Sequence, residues 1–281
     1  MTAAGTIVIG RDLTVNRLGL GAMRLSGPGI WGDPPDRAAA LRVLQRAVEL
    51  GVNFIDTADA YGPEANERLI ADALHPYPKG LVIATKGGIT RPSPERWERD
   101  GRVSHLRAAC EASLRRLRVE RIDLYQFHSI DPLVPLEESL GELARLQREG
   151  KIRHVGVSNF TSGELARARR VVEVASVQNR YNVADRTSDA VLATCDRDGI
   201  AFIPWSPLSQ SPRESREGPR QRLADWAERH GTSFAQAAIA WLLARSPAML
   251  PIPGTSSIAH LEENLTAAER QLTHEDLRRI D

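Results

Sequence analysis

Short apolar runs alternate with helix-length amphipathic segments along almost the whole of this chain, and few architectures accept that alternation. The runs lie at 17–22 (RLGLGA), 53–57 (NFIDT), 81–86 (LVIATK), 122–128 (IDLYQFH), 152–158 (IRHVGVS), 176–179 (SVQN), 200–205 (IAFIPW) and 249–253 (MLPIP). Strands buried on both faces read as near-continuous apolar runs, and parallel neighbours need a crossover between them. The intervening segments have helical spacing. Asp36 can cap a helix that buries Leu41, Leu44 and Val48 and closes at Gly51. Val103, Leu106, Cys110, Leu114 and Leu117 make one face at steps of three and four; Leu136, Leu140, Leu143 and Leu146 make another. Thr161 with Glu164, and Ser233 with Gln236, have capping-box spacing.

Eight such units imply an α/β protein whose parallel sheet closes into a (β/α)8 barrel, a fold of typically ~250 residues. No Pro- or Ser-rich linker interrupts the 281 residues, so residues 1–281 read as a single domain. TIVIGRDLTV, within the first sixteen residues, reads as a β-hairpin covering the barrel floor. Further helices are expected over about 187–198 and 218–230 and from Thr273 to Ile280. The competing fold is an open dinucleotide-binding sheet. GPGIWG, Gly27 to Gly32, matches the glycine pattern of such folds, but Asp33, Pro34 and Pro35 follow where a helix should begin. We read it as a loop on the substrate side.

Composition narrows the partners. A formal charge of +1 gives no electrostatic basis for binding nucleic acid or a membrane surface. No apolar run approaches the ~20 residues that span a bilayer. The opening MTAAGTIVIGRD lacks a secretory pattern. Cys110 and Cys195, distant and both within helical segments, suggest neither a disulfide framework nor a metal site. The sparse cysteines make a reducing cytoplasm the expected compartment. Separately, the expected partner is a small-molecule carbonyl substrate, and the expected state a monomer or weak homo-oligomer.

On a barrel, chemistry gathers at the C-terminal ends of the strands. Those ends carry Gly21, Ala22 and Met23, then Asp56, Lys86, His128, Ser158 and Asn159, Gln178, Trp205, and finally Gly254 and Thr255. Singly, each has an ordinary alternative, such as a core histidine or a strand-end hydrogen bonder. One fold places all of them around one mouth. Only three of the 37 basic residues are lysine, and Lys86 alone ends an apolar run. Asp56, one strand over, is the natural partner for a buried ammonium. Tyr61 lies just beyond Asp56 and is a phenol able to donate a proton to a nascent alkoxide. A nearby ammonium is expected to lower its pKa, and His128 is expected to orient and polarise a carbonyl oxygen.

The motifs GVNFIDTADAYG, ATKGG, DLYQFH, GVSNF, VQNRYN, PWSPL and PIPGTSSIAHLEENL, in this order, resemble those of the aldo-keto reductases. The resemblance implies reduction of an aldehyde or ketone by NADPH held in an extended pose without a separate dinucleotide domain. The catalytic tetrad falls on Asp56, Tyr61, Lys86 and His128. Cofactor contacts fall on Gly21, Ala22, Met23 and Asp56; on Ser158, Asn159 and Gln178 at the carboxamide; and on Trp205 stacked on the nicotinamide. Ser206, Pro207 and Leu208 would run beneath the pyrophosphate. Gly254, Thr255 and Ser256 would meet a phosphate, with His260, Glu263 and Asn264 toward the adenosine. Many relatives place lysine at Gly254 and arginine at His260 to grip the 2′-phosphate, so NADH is an admissible second cofactor here.

Substrate contacts are expected from Met23, Trp31, Tyr61 and His128. The loop GGITRPSPERWERDG, with Trp31, is expected to form the pocket wall. No metal is expected. Within the family, the compact chain and its ending are similar to bacterial reductases of the pyridoxal-reductase type, which suggests pyridoxal or another small aldehyde. Potassium-channel β-subunits share the fold and supply the alternative, a cofactor-sensing binding partner. A short-chain dehydrogenase is excluded, because its tyrosine and lysine lie four apart on one helix.

Overall fold

The computed structural model describes residues 4–208 and 218–281. It opens with β1 (Thr6–Ile9), β2 (Leu13–Asn16) and β3 (Leu20–Gly21), followed by α1 (Arg37–Glu49), β4 (Phe54–Asp56) and α2 (Ala65–Leu74). Then come β5 (Val82–Gly87), β6 (Ile89–Ser93), β7 (Arg96–Arg99), α3 (Val103–Leu117), β8 (Ile122–Phe127) and α4 (Leu136–Arg148). They are succeeded by β9 (Ile152–Ser158), α5 (Ser162–Ala168), β10 (Val174–Arg180), α6 (Asp189–Asp198) and β11 (Ala201–Trp205). Helices α7 (Pro219–Arg229), α8 (Phe234–Arg245), α9 (Ile258–Thr266) and α10 (His274–Ile280) complete the described chain.

Seven strands form one sheet in the order β3-β4-β5-β8-β9-β10-β11, with every adjacent pair parallel. The α/β reading therefore stands. The sheet is curled. Strands β4 and β10 are four places apart in that order, about 19 Å in a flat sheet, yet Gln178 Nε2 donates to Asp56 Oδ2 at 2.8 Å.

The two outer strands approach each other across residues 248–252. Phe202 N donates to Ala248 O at 2.8 Å and Leu250 N to Phe202 O at 2.9 Å, while Gly19 N donates to Pro251 O at 2.9 Å. Where an eighth strand was expected, 249–253 makes a single parallel bridge, Phe202 to Met249. Pro251 and Pro253 have no N–H to extend a ladder.

β1 and β2 pair antiparallel from Thr6–Asn16 to Ile9–Leu13. Ile9, Leu13 and Val15 join one apolar cluster with Phe54, Val82, Leu124 and Ile203. A separate and larger cluster packs the outer face of the later strands against α3 to α8. In α1 the buried stripe is Ala40, Val43, Leu44 and Ala47. Leu41 and Val48 flank it half-buried, because a helix seats steps of three and four on one line rather than its largest side chains. Asp36 caps this helix through Ala39 N at 2.8 Å, and both expected capping boxes form. Among the described residues no helix is long and apolar enough to cross a membrane.

Candidate active site

The strand ends converge on a cavity of about 660 Å³. Register sets the convergence: Gly21 lies beside Asp56, Lys86 beside Gln126, Ser158 beside Gln178, and Arg180 beside Trp205. Lys86 has no exposed surface. Its ammonium donates to Asp56 Oδ1 at 2.6 Å, to Thr57 O at 2.9 Å and to Tyr61 Oη at 3.3 Å. Asp56 is buried, and its Oδ2 accepts from the amides of Gln126 at 2.9 Å and Gln178 at 2.8 Å. A carboxylate and an ammonium buried together are tolerable only when their remaining hydrogen-bonding capacity is used, and here it is.

Burial alone would favour the neutral amine at Lys86. The charge of Asp56, with the hydrogen bonds, outweighs it and holds the ammonium's pKa above its ordinary value. For Tyr61 the balance falls differently. Burial pushes the phenol up, Lys86 pulls it down, and Asp56 and Asp59 push it up again, so the pKa lies above its ordinary 10.0. This corrects the expectation of a lowered value: desolvation of the phenolate exceeds the ammonium's attraction. The group stays protonated at neutral pH. His128 is buried, with its ring 5.9 Å from that of Tyr61 at 85°. Burial and then the Lys86 charge hold its pKa well below the usual imidazole range, which makes it a neutral ring. Its Nδ1 is buried, with no hydrogen-bond partner among the described residues.

The opposite side of the mouth is a chain of polar contacts. Ser158 Oγ donates to Gln178 O at 2.8 Å, and Asn159 Nδ2 to Ser158 Oγ and His128 O, both at 3.1 Å. Trp205 Nε1 donates to Asn159 Oδ1 at 2.9 Å. The indole edge is thus fixed. Asn159 and Ser206 follow their strands directly with φ of 62° and 56°. Such strained turns persist where surrounding contacts impose them, and Asn182 Nδ2 fastens the second by donating to Ser206 O at 3.0 Å.

Thirteen of the expected residues form cavity wall: Gly21, Met23, Asp56, Tyr61 and His128 on one side, Ser158, Asn159, Gln178 and Trp205 on the other, with Ser206, Pro207, Leu208 and Gly254 at the rim. Lys86 reaches the space through Asp56 and Tyr61. Ala22 is wholly buried. Thr255, Ser256, His260, Glu263 and Asn264 lie outside the cavity, along the turn into α9 and on that helix. Trp31 is also off the wall, standing 5.5 Å from the Arg91 guanidinium carbon. Trp97 takes the place expected of it, 6.5 Å edge-on from the Tyr61 ring. The loop expected to form the wall is the antiparallel hairpin β6–β7.

Sequence reading missed Gln126, Arg24, Ile30, Arg180 and Ile252, the first in the Asp56 network and the others on the wall. Gln126 carries the only usable signal, an amide inside an otherwise apolar strand two residues before His128.

The Aldo/keto reductase family profile matches residues 17–281. An uncharacterized oxidoreductase of Schizosaccharomyces pombe is 47% identical over 278 residues, covering 99% of this chain and 89% of its own. The pyridoxine 4-dehydrogenase of Escherichia coli is 41% identical over 286 residues, covering 99% and 98%. An aldo-keto reductase from Klebsiella pneumoniae, solved in complex with NADPH, superposes with a TM-score of 0.81 at 27% identity, covering 99% and 94%. With a family profile spanning nearly its full length and relatives this similar from end to end, the chain belongs to the aldo/keto reductase family.

Proposed function

We propose that this protein reduces a small aldehyde or ketone with NADPH, using Tyr61 as the proton donor. The observation that carries the reading is the buried Asp56–Lys86–Tyr61 chain ending beside His128 on the wall of one cavity. The wall suits a nicotinamide. Trp205 is held by its edge, and with Arg180 over one face at 5.5 Å the other face is left for stacking. Gln178 spends its amide hydrogens on Asp56 and Gln126, and no described group donates to its Oε1. Asn159, Ser158 and Gln178 would hold the carboxamide, and residues 206–208 and 254–264 the phosphates and adenosine. The relative solved with NADPH supports the choice of cofactor.

When bound, that cofactor supplies a hydride to the carbonyl carbon. Neutral His128 orients the carbonyl oxygen toward Tyr61. The Tyr61 hydroxyl releases its proton to the forming alkoxide, and Lys86, 3.3 Å away, balances the phenolate that remains. Asp56 keeps that ammonium in place. Tyr61, Met23, Ile30 and Trp97 make an apolar and aromatic wall that suits a flat aldehyde. Together with the pyridoxine 4-dehydrogenase relative, this supports pyridoxal or a similar small aldehyde as substrate.

The same reading takes residues 1–281 as one domain, with 249–253 as the closing stave and the β1–β2 hairpin across the floor. It describes a cytoplasmic enzyme acting as a monomer or weak homo-oligomer. The test is NADPH oxidation with pyridoxal, methylglyoxal, nitrobenzaldehyde and simple sugars. Tyr61→Phe is expected to lose turnover by about a hundredfold or more, within the usual contribution of general acid catalysis, while NADPH still quenches tryptophan fluorescence. Near-wild-type turnover in that variant removes Tyr61 as the acid.

A further inference from the structure

We propose that Arg24 reads the ribose 2′-phosphate of the bound dinucleotide and so sets the preference for NADPH over NADH; this rests on the cofactor reading above. Among the described residues, two guanidinium groups lie on the cavity wall, Arg24 and Arg180. Arg180 is engaged, with Nε 2.9 Å from Asp185 Oδ2 and the group 5.5 Å from the Trp205 ring centre. Arg24 is exposed at the end of the single 3-10 turn Ala22–Leu25, and no described residue makes a hydrogen bond or ion pair with its side chain. An exposed cation on the wall of a ligand cavity, with no partner among the described residues, is available to a ligand anion.

Its position relative to residue 254 gives the anion an address. A Cβ on Gly254 would lie 2.9 Å from Gly21 O and 3.3 Å from Arg24 Cγ. The first contact is with backbone, which cannot swing away, so the fold leaves no room for a lysine at 254. The space beside that glycine is taken by the stem of Arg24. The cation that residue 254 does not supply is thus carried on the neighbouring strand's exit, beside the same turn into α9. A guanidinium fork also grips a phosphate through two parallel N–H donors, which an ammonium cannot do.

The experiment compares wild type, Arg24→Ala and Arg24→Lys for binding of NADPH, NADH, adenosine 2′,5′-bisphosphate and adenosine 5′-phosphate, measured by calorimetry and fluorescence quenching. Arg24→Ala is expected to weaken NADPH and the bisphosphate by about tenfold or more, the loss of a hydrogen bond between charged groups. NADH and the monophosphate should stay within about twofold, the scale of a surface change that touches nothing. Arg24→Lys should recover part of the loss. Thermal stability should not move, because the side chain holds no part of the fold.

Equal weakening of NADPH and NADH, or of neither, overturns the proposal. So does a result in which both cofactors bind normally and only a phosphorylated aldehyde loses KM relative to its neutral counterpart, since the anion would then belong to the substrate. If wild type binds neither dinucleotide, the cofactor reading itself falls, and this proposal with it.

Discussion

Lys86 spends each of its three ammonium hydrogens inside the protein, on Asp56, Thr57 O and Tyr61. That economy makes a fully buried cation tolerable and fixes what the phenol experiences. Tyr61 is raised above its ordinary 10.0, burial being the largest cause, and His128 is held well below the imidazole range. As the proposed acid Tyr61 must be protonated to work, so carbonyl reduction should fall only as pH climbs past the ordinary phenol value, about 10. No ionisation of His128 should intrude near neutrality. The kcat/KM for aldehyde reduction, followed from pH 6 to 11, is expected to stay level through pH 9 and then decline. A decline centred near pH 7 to 8 would mean that the ammonium, not burial, governs the phenol during reaction. At this scale the meeting of Asp56, Tyr61, Lys86 and His128 was legible, because a carboxylate or lysine ending an apolar run is costly unless used. Arg24 was not, since an arginine in an arginine-rich chain carries no signal of its own.

Elements were readable in proportion to how completely they are buried. β5, β8, β9 and β11 lie in the sheet interior or beside it, and their apolar runs marked them to within about two residues. β6 and β7 could not be read that way. ITRPSPERWER contains two prolines and no alternation, because the hairpin stands outside the sheet and is held by side chains. Arg91 holds it: its guanidinium donates to Ile30 O and Gly29 O at 3.1 Å and to Pro94 O at 2.6 Å, and stacks 3.7 Å from the centre of the Trp97 ring. Trp97 is 41% exposed, so little burial keeps the wall upright without this arginine. Arg91→Met is expected to cost about 1.5–3 kcal/mol of stability, the usual range for hydrogen bonds to a charged group, measured by urea denaturation. It should raise KM for the aldehyde several-fold while NADPH affinity holds. A lowered NADPH affinity with unchanged KM would show that the hairpin serves the cofactor instead.

At the scale of the whole molecule, a parallel sheet gains little from closing unless the first and last strands meet, and they are the pair most distant in sequence. The run at 249–253 was legible as apolar but not as unladdered, because its prolines remove the hydrogen bonds that define a strand. Arg17 supplies others in their place. From just ahead of β3, its guanidinium donates to Leu243 O at 2.9 Å, Ser246 O at 2.6 Å and Met249 O at 3.3 Å. One side chain near the start of the chain thus satisfies three carbonyls between the end of α8 and the closing segment. Burial lowers its pKa, with Asp196 opposing, but a guanidinium remains charged at any physiological pH. Arg17→Met should take the guanidinium from all three carbonyls, leaving Ser246 O only the Met249 N–H at 3.2 Å, and cost roughly 2–5 kcal/mol, the range for breaking a buried network around a charge. Arg17→Lys should restore only part, since an ammonium cannot span the same three acceptors. If closure is all-or-none, the urea midpoint falls while the slope stays constant and tryptophan fluorescence and circular dichroism lose signal together. An unchanged midpoint would remove Arg17 as the clasp. Two separated transitions would mean instead that the seam opens by itself, with the early strands still holding their sheet when the last segment lets go.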